Sequence, residues 1–487
     1  MERHTLTVQR IGLVAVANIL IALSALILLP IMTKTLPIAD YGSWALITVT
    51  ILLVPALASL GLRAAMIRFL AASTDKRNTQ EIFYSLLFVV LVMASISSAL
   101  FFVFARPIAG SLFHDNLMTA RIFALTIFFG CLNLFIIDFF RGFQQAKRYS
   151  SLTLLQAYVN VALVAFFVVL GYGLQGAVIG LLLQQLFLFF VAICLIFTQI
   201  GVARPKFVNL REHMAFGLPL VPGDLSAWIA NSSDRYLIGL LLGPAAVGYY
   251  SPGYALGNTI LLISAALTVL LPAILAKHYD EYSMADVRTI MKYSLRYYAG
   301  IAIPCTFALS VLSKPLLVIL STPQIAASGY LVTPLVAAGM LLLGAYMVLV
   351  QVVVLKKKTA FVGTVWVAAA ALNLGGNLIL IPYLGILGAA LTTLLAYSFA
   401  SVLTAVYSLR QFKFDISARF ILKSVCASIL ISILLLLWQP SGLANVLLSI
   451  SLAGGIYLGI LFVLKGFTIQ EIKFFYGVFK ELITKPV

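Results

Sequence analysis

Apolar runs long enough to cross a bilayer fill almost the whole chain, and the short loops between them alternate between basic and nearly charge-free. A hydrocarbon core about 30 Å thick takes roughly 20 helical residues. In lipid, a helix satisfies its own backbone, whereas an open sheet leaves its edges unpaired. The pattern therefore predicts an all-α polytopic membrane protein. Fourteen runs qualify. The first six are Ile11–Thr33, Tyr41–Leu62, Ile82–Phe104, Ile122–Phe139, Leu152–Leu170 and Leu174–Phe197. The next six are Met214–Leu242, Val247–Leu275, Tyr298–Leu320, Tyr330–Leu355, Ala360–Pro382 and Leu384–Leu409. Phe420–Trp438 and Val446–Leu464 complete the set. Beyond them, Ile472, Phe475, Phe479 and Leu482 share one helical face, which suits an interfacial helix on the membrane surface.

The placement of charge decides what the net charge of +17 means. Only 10% of residues are charged, and the basic ones sit in loops, where they set topology and meet anionic lipid. A nucleic-acid partner is therefore not expected. With the N-terminus in the cytoplasm, every Lys and Arg except Lys34, Arg106, Arg121, Arg235 and Lys314 falls on the cytoplasmic side. The positive-inside rule thus puts both termini in the cytoplasm and the chain in the cell (inner) membrane. The first apolar run is too long for a signal peptide and lacks a small-residue cleavage site. Cys131, Cys194, Cys305 and Cys426 all fall inside apolar runs without metal-ligand spacing, so neither a disulfide framework nor a metal site is expected.

The chain repeats itself weakly. "TLPIADYGSWAL" at the entry of the second run resembles "LLGPAAVGYYSPGYAL" at the eighth, with Gly42 matching Gly248 at an offset of 206. "GLQGAVIGLLL" from Gly173 resembles "GILGAALTTLL" from Gly385 at an offset of 212. Lys147-Arg148 lines up with Lys357-Lys358 at 210. An even number of spans per unit keeps both units in the same orientation, as in transporters whose substrate path lies between parallel repeats. The expected division is residues 1–206 and 207–413 as six-helix bundles, with 414–487 adding two spans and a cytoplasmic tail. The alternative is that Gly–Ala pairs simply recur where helices approach closely.

Polar residues at membrane depth are the candidates for function. The densest run is "FGLPLVPGDLSAWIANSSDRYLIGLLLGPAAVGYYS", Phe216–Ser251. Pro219 and Pro222 break or bend the helix. Beyond them Asp224, Trp228, Asn231 and Arg235 share a face at 100° per residue, with Asp234 about 80° aside. Asp224, Asn231 and Arg235 are expected to face a polar cavity; Asp234 and Arg235 can also neutralise each other. Arg63 and Arg68, in "GLRAAMIRF", sit at the cytoplasmic mouth, as substrate contacts or as topology determinants that snorkel. Asp138 and Arg141 are expected to pair. Asn18, Asn133, Asn160, Gln184, Gln185, Gln351, Asn373 and Asn377 can line a sugar path or hydrogen-bond between helices. Tyr249, Tyr250 and Tyr254 read as aromatics of the outer interface.

No catalytic constellation, phosphate-binding loop or metal-ligand spacing is present, so no cofactor and no enzyme activity are expected. The Phe216–Ser251 run, the repeated halves and the "LGLRAAMIRF" exit resemble polysaccharide-lipid flippases. These form the polysaccharide transporter branch of the multidrug/oligosaccharidyl-lipid/polysaccharide exporter superfamily. The resemblance implies a V-shaped, MATE-like pair of bundles working by alternating access, with spans one, two, seven and eight around the cavity. Spans thirteen and fourteen would be additions, as in lipid II flippases. Arg63 departs from the small residue or proline usual at its position, which ranks Arg68 ahead of it. The implied substrate is a polyprenyl-linked glycan whose tail stays among membrane lipids while its sugar-phosphate head crosses a wet cavity. Arg68, Arg63 and Arg235 are the expected phosphate contacts. A coupling ion, H+ or Na+, is an open expectation. The alternatives are a cation-coupled multidrug antiporter using Asp224 and Asp234, and a membrane glycosyltransferase.

Overall fold

The computed structural model describes residues 2–73, 75–280 and 283–466, so the tail reading falls outside the described residues. Its helices begin with α1 (Glu2–Thr35), α2 (Ile38–Ala58), α3 (Leu62–Ala72), α4 (Lys76–Val103), α5 (Ala105–Leu112) and α6 (Leu117–Gly142). Next come α7 (Ala146–Phe167), α8 (Gly173–Ile200), α9 (Leu210–Gly217), α10 (Val221–Leu242), α11 (Pro244–Asn258) and α12 (Leu262–Asp280). The rest are α13 (Met284–Leu320), α14 (Pro323–Gly329), α15 (Val332–Leu355), α16 (Thr359–Leu384), α17 (Ile386–Phe412), α18 (Ala418–Trp438) and α19 (Leu443–Val463).

Eleven apolar stretches among the described residues are long enough to cross a membrane, and one of them, Ala146–Ile200, holds both α7 and α8. Two more crossings escape a hydropathy criterion for physical reasons. Helix α10 carries Asp224, Asp234 and Arg235, and a 3-10 turn at Thr259–Leu261 splits the eighth crossing into α11 and α12. With these the architecture has the expected fourteen crossings.

Apolar packing separates along the chain. One core cluster draws on buried residues from Leu28 to Ile200. A second draws on Ile238 to Ala400, with Ala45 and Leu46 of α2 reaching into it. Helices α18 and α19 lie against α13 through a smaller cluster around Leu312, Phe420, Ile431 and Tyr457. The Tyr457 hydroxyl donates to the Gly300 carbonyl at 2.7 Å. The outer leucines of α18 and α19, such as Leu437 at 78% exposure, are left for lipid.

Backbone geometry bears on the repeat. Gly173 has φ 57, ψ −145, and its counterpart Gly385 has φ 60, ψ −140. That region is essentially reserved for glycine. The dibasic match shifts, however. Lys147 and Arg148 lie in the first turn of α7, whereas Lys357 and Lys358 form the turn before α16. The left-handed residues of the two turns are Gln144 and Lys357, an offset of 213 rather than 210.

Candidate functional site

Two places of close backbone approach bracket the centre of the molecule. At the charge-poor end, α2 meets α11 glycine on glycine. A Cβ on Gly42 would overlap the Pro244 carbonyl oxygen and lie 2.9 Å from the Gly248 nitrogen. A Cβ on Gly248 would overlap the Ile38 carbonyl oxygen. The contacts are reciprocal at the offset of 206, since Ile38 and Gly42 correspond to Pro244 and Gly248. A two-fold axis produces this self-complementary pattern.

At the basic end, α3 meets α9. A Cβ on Gly61 would overlap the Gly217 carbonyl, and Gly61 has φ 70, which favours glycine. Around this contact the Phe69 ring lies 4.5 Å from the His213 ring, edge to face. The Arg68 guanidinium stacks on Phe216, 4.5 Å from the ring centre, while remaining exposed. Such stacking is specific to the planar cation of arginine. His213 is buried, and burial holds its imidazole below the usual histidine range.

Between the two closures lies a cavity of about 890 Å³. Helices α1, α2, α7 and α8 line one side, and α11, α12 and Met347 of α15 the other. Its polar lining is amide, hydroxyl and aromatic: Gln156, Asn160, Gln184, Gln185, Asn258, Tyr41 and Trp44 are the largest of these. Among the described residues, no charged side chain lines it.

None of the six site residues expected from sequence lines this cavity. Arg63 donates Nε–H to Asp138 Oδ2 at 2.7 Å, and Asp138 is 3% exposed. This corrects the expected Asp138–Arg141 pair; Arg141 is exposed. Residues three apart on one helix were the nearest partners legible locally, but α3 packs against α6 and supplies a better one. Asp224 is exposed in the first turn of α10, within the field of Arg63.

The other three expected residues belong to a buried polar knot. Asp234 is 2% exposed and accepts from the Tyr250 hydroxyl at 2.5 Å and the Arg235 backbone N–H at 2.8 Å. Its carboxylate is 3.6 Å from the Arg235 guanidinium, which lies 4.0 Å from the centre of the Tyr254 ring. Asn231 Oδ1 accepts from the Tyr397 hydroxyl at 2.5 Å, and its carbonyl accepts from Tyr254 at 3.1 Å. Helices α10, α11 and α17 are thus tied together by a fully partnered network, which is how a charge pair survives at membrane depth. Asp234 and Arg235 neutralise each other, the second of the two roles read for them. Tyr250 and Tyr254, expected at the interface, are 0% and 6% exposed inside this knot. Their spacing of four puts both rings on the α10-facing side of α11, a signal available in the sequence.

The amides divide between both expected roles. Asn133 donates to the Gln185 side-chain oxygen at 2.6 Å and its carbonyl at 2.7 Å. Asn377 donates to Asn373 at 3.0 Å, and Ser233 of α10 donates to the same oxygen at 3.3 Å. These serve helix packing; Asn160 and Gln184 reach the cavity, and Gln185 does both.

The architecture is that of packed helical units with a cavity between them and close backbone contacts at either end, an arrangement that recurs in membrane transporters. The chain belongs to the polysaccharide biosynthesis protein family, whose sequence model it matches over residues 7–277. Among characterised proteins it is similar to the probable low-salt glycan biosynthesis flippase Agl15 of Haloferax volcanii. The two are 21% identical over 207 residues, 42% of this chain and 44% of that protein, so the match spans less than half of the relative. Among solved structures, the lipid II flippase MurJ in an inward closed conformation superposes with a TM-score of 0.75 at 15% identity. That match covers 93% of this chain and 98% of the other. An inward-facing multidrug resistance MATE family transporter superposes with a TM-score of 0.67 at 16% identity, covering 82% and 98%. These likenesses show a shared fold.

Proposed function

We propose that this protein is an alternating-access flippase that carries a polyprenyl-(pyro)phosphate-linked oligosaccharide from the basic side of the membrane to the opposite leaflet. One observation carries the reading: a cavity of about 890 Å³ held between two backbone closures in a chain made almost wholly of membrane-crossing helices. Such a cavity suits a head group that must not touch lipid. The family and the flippase relative support the same substrate class. Residues 1–206 and 207–413 are the two moving units, a division supported by the separate cores and the reciprocal Gly42–Gly248 contact. Residues 414–487 are an addition to them. The basic end faces the cytoplasm, so both termini lie inside the cell membrane.

An antiporter for cationic drugs fits less well. Its cavity would need a carboxylate to replace the hydration of the cation, and this lining has none.

Arg68 gathers the phosphate at the basic gate, because it is exposed and stacked in place. Arg63 is engaged by Asp138, and Arg235 is enclosed by Asp234 and Tyr254. Arg68→Ala is expected to lower flipping about tenfold, roughly one charge-assisted hydrogen-bonded contact. Arg68→Lys should recover only part of this, since lysine neither stacks flat nor grips phosphate with two N–H groups. Reconstitution in vesicles, with orientation checked and a labelled lipid-linked glycan followed, measures both. Equal rates for all three proteins would remove Arg68 from the substrate path.

Of the two coupling ions expected, Na+ is assigned to the α10–α16 contact, where Ser233 donates to Asn373. There the Asn377 side-chain oxygen is buried without a protein partner. Under this reading Asn377→Ala abolishes the response of flipping to an imposed Na+ gradient. Downhill movement continues. A variant that keeps the gradient response places coupling elsewhere.

A further inference from the structure

We infer that the cavity selects a neutral, hydroxyl-rich glycan, and that Gln184 and Asn160, with Trp44, are its specificity-determining contacts. The inference rests on the flippase reading for the direction of transport but on the cavity lining alone for the chemistry.

Two buried amide groups are left with open valences at this wall. The Gln184 side-chain N–H group has no partner, although the residue is 1% exposed. The Asn160 side-chain carbonyl also has none. Their neighbour Gln185 also lines the cavity but differs, because Asn133 donates to its side-chain oxygen. The register explains why the two free groups come together. A Cβ on Gly180 of α8 would meet Leu163 and Val164 of α7 at 2.8–2.9 Å. One turn further along α8, Gln184 comes level with Asn160 on the antiparallel α7. Gln156 is one turn from Asn160 on the same face, and it lines the same cavity.

A donor and an acceptor level with each other on neighbouring helices suit a sugar hydroxyl, which both donates and accepts. Trp44 and Tyr41 add aromatic surface to the wall for the C–H face of a sugar ring. Buried amides left unpaired cost free energy until something binds them. A site of this kind discriminates strongly in favour of ligands that complete its hydrogen bonds.

The absence of charge from the lining sets the other limit. A uronate or other acidic sugar here would lose its hydration without gaining a cation. The diphosphate crosses with the glycan, but in the loaded state it sits at the basic gate, where Arg68 is the cationic contact, while the terminal sugar meets the neutral wall. At about 890 Å³ the cavity is near the top of the ~300–1,000 Å³ range of small-molecule sites, room for more than a single small ligand.

The test uses the full chain in vesicles with two synthetic polyprenyl diphosphate glycans, identical except that one ends in a neutral hexose and the other in its uronate. The parent protein is expected to flip the neutral lipid at least tenfold faster. Gln184→Ala and Asn160→Ala should each slow the neutral lipid about tenfold. Neither substitution removes a hydrogen bond of Gln184 Nε2 or Asn160 Oδ1 within the protein, so Asn160→Ala should keep the parent's thermal stability in detergent and Gln184→Ala should lose only the packing of its buried side chain. Gln184→Arg should raise the uronate rate relative to the neutral one about tenfold. Equal parent rates for the two lipids, or an unchanged ratio in Gln184→Arg, would overturn the inference. If the parent moves neither lipid, it is the flippase reading that fails. The lining is then decided by binding: quenching of tryptophan fluorescence in detergent by the soluble neutral glycan and by its uronate. Preferential quenching by the neutral form, lost in Trp44→Phe and weakened in Gln184→Ala, supports the inference; equal quenching, or none, refutes it.

Discussion

Gly42→Val is expected to hold the charge-poor end open and to reduce transport about 100-fold, equivalent to roughly 2.7 kcal/mol. Any Cβ at Gly42 would run into the Pro244 carbonyl and the Gly248 nitrogen of α11. Both obstacles are backbone, so no rotamer change relieves the overlap; α2 must move away from α11. The core around Leu28–Ile200 does not depend on that contact, so the protein should still fold. The closed state then loses its share of the population, and a cycle that must pass through it slows accordingly. Gly61→Val at the basic end should act in the opposite sense, pushing α3 off α9, with added strain from its positive φ. Spin labels at Ala39 and Ala245 report the first opening as a longer distance in Gly42→Val and not in Gly61→Val. Unchanged distances together with full transport in both variants would show that these contacts are not gates.

Arg63→Ala is expected to destabilise the protein by roughly 2–4 kcal/mol. It strands the Asp138 carboxylate, which is 3% exposed and has Arg63 as its ionic partner. Breaking a buried pair from one side costs about 3–5 kcal/mol. The lower figure here reflects a guanidinium that is 30% exposed and already shares its charge with water. Asp138→Asn should cost much less, because it removes the buried charge and leaves Arg63 hydrated. Arg63→Ala with Asp138→Leu should recover most of the stability lost in Arg63→Ala. Arg141→Ala should lie within about 0.5 kcal/mol of the parent, as for other exposed sites. Thermal unfolding in detergent ranks the four. A large loss in Arg141→Ala and none in Arg63→Ala would restore the local pairing expected from sequence.

The same residues mark where a linear reading succeeds and where it stops. Asp234 and Arg235 were legible as a self-neutralising pair because they are adjacent. Asp138 was assigned to Arg141, three residues away, while its partner comes from a helix 75 residues earlier. Tyr250 and Tyr254 carried a helical spacing but not the identity of the helix they would face. Tyr397, which completes the network, lies 166 residues from Asn231 and gave no signal as a partner. Of the α10 face read as Asp224, Trp228, Asn231 and Arg235, Asn231 and Arg235 face tyrosines of α11 and α17, Trp228 donates to the Val49 carbonyl of α2, and Asp224 is exposed.

The crossings, the alternation of basic loops and the glycine positions of the repeat were determined by the sequence itself. The reason is that they are local: about 20 apolar residues must form a helix in lipid whatever surrounds them, and the φ near +60 with ψ near −140 at Gly173 and Gly385 is a conformation left to glycine. The neutrality of the cavity was decided only by the tertiary structure. Charges at membrane depth seek partners before they seek a substrate, and helix packing supplied those partners to Arg63, Asp234 and Arg235 from distant segments. What packing left unpartnered at the centre were amides, Gln184 and Asn160, whose meaning depends on which helices stand level with one another across the wall.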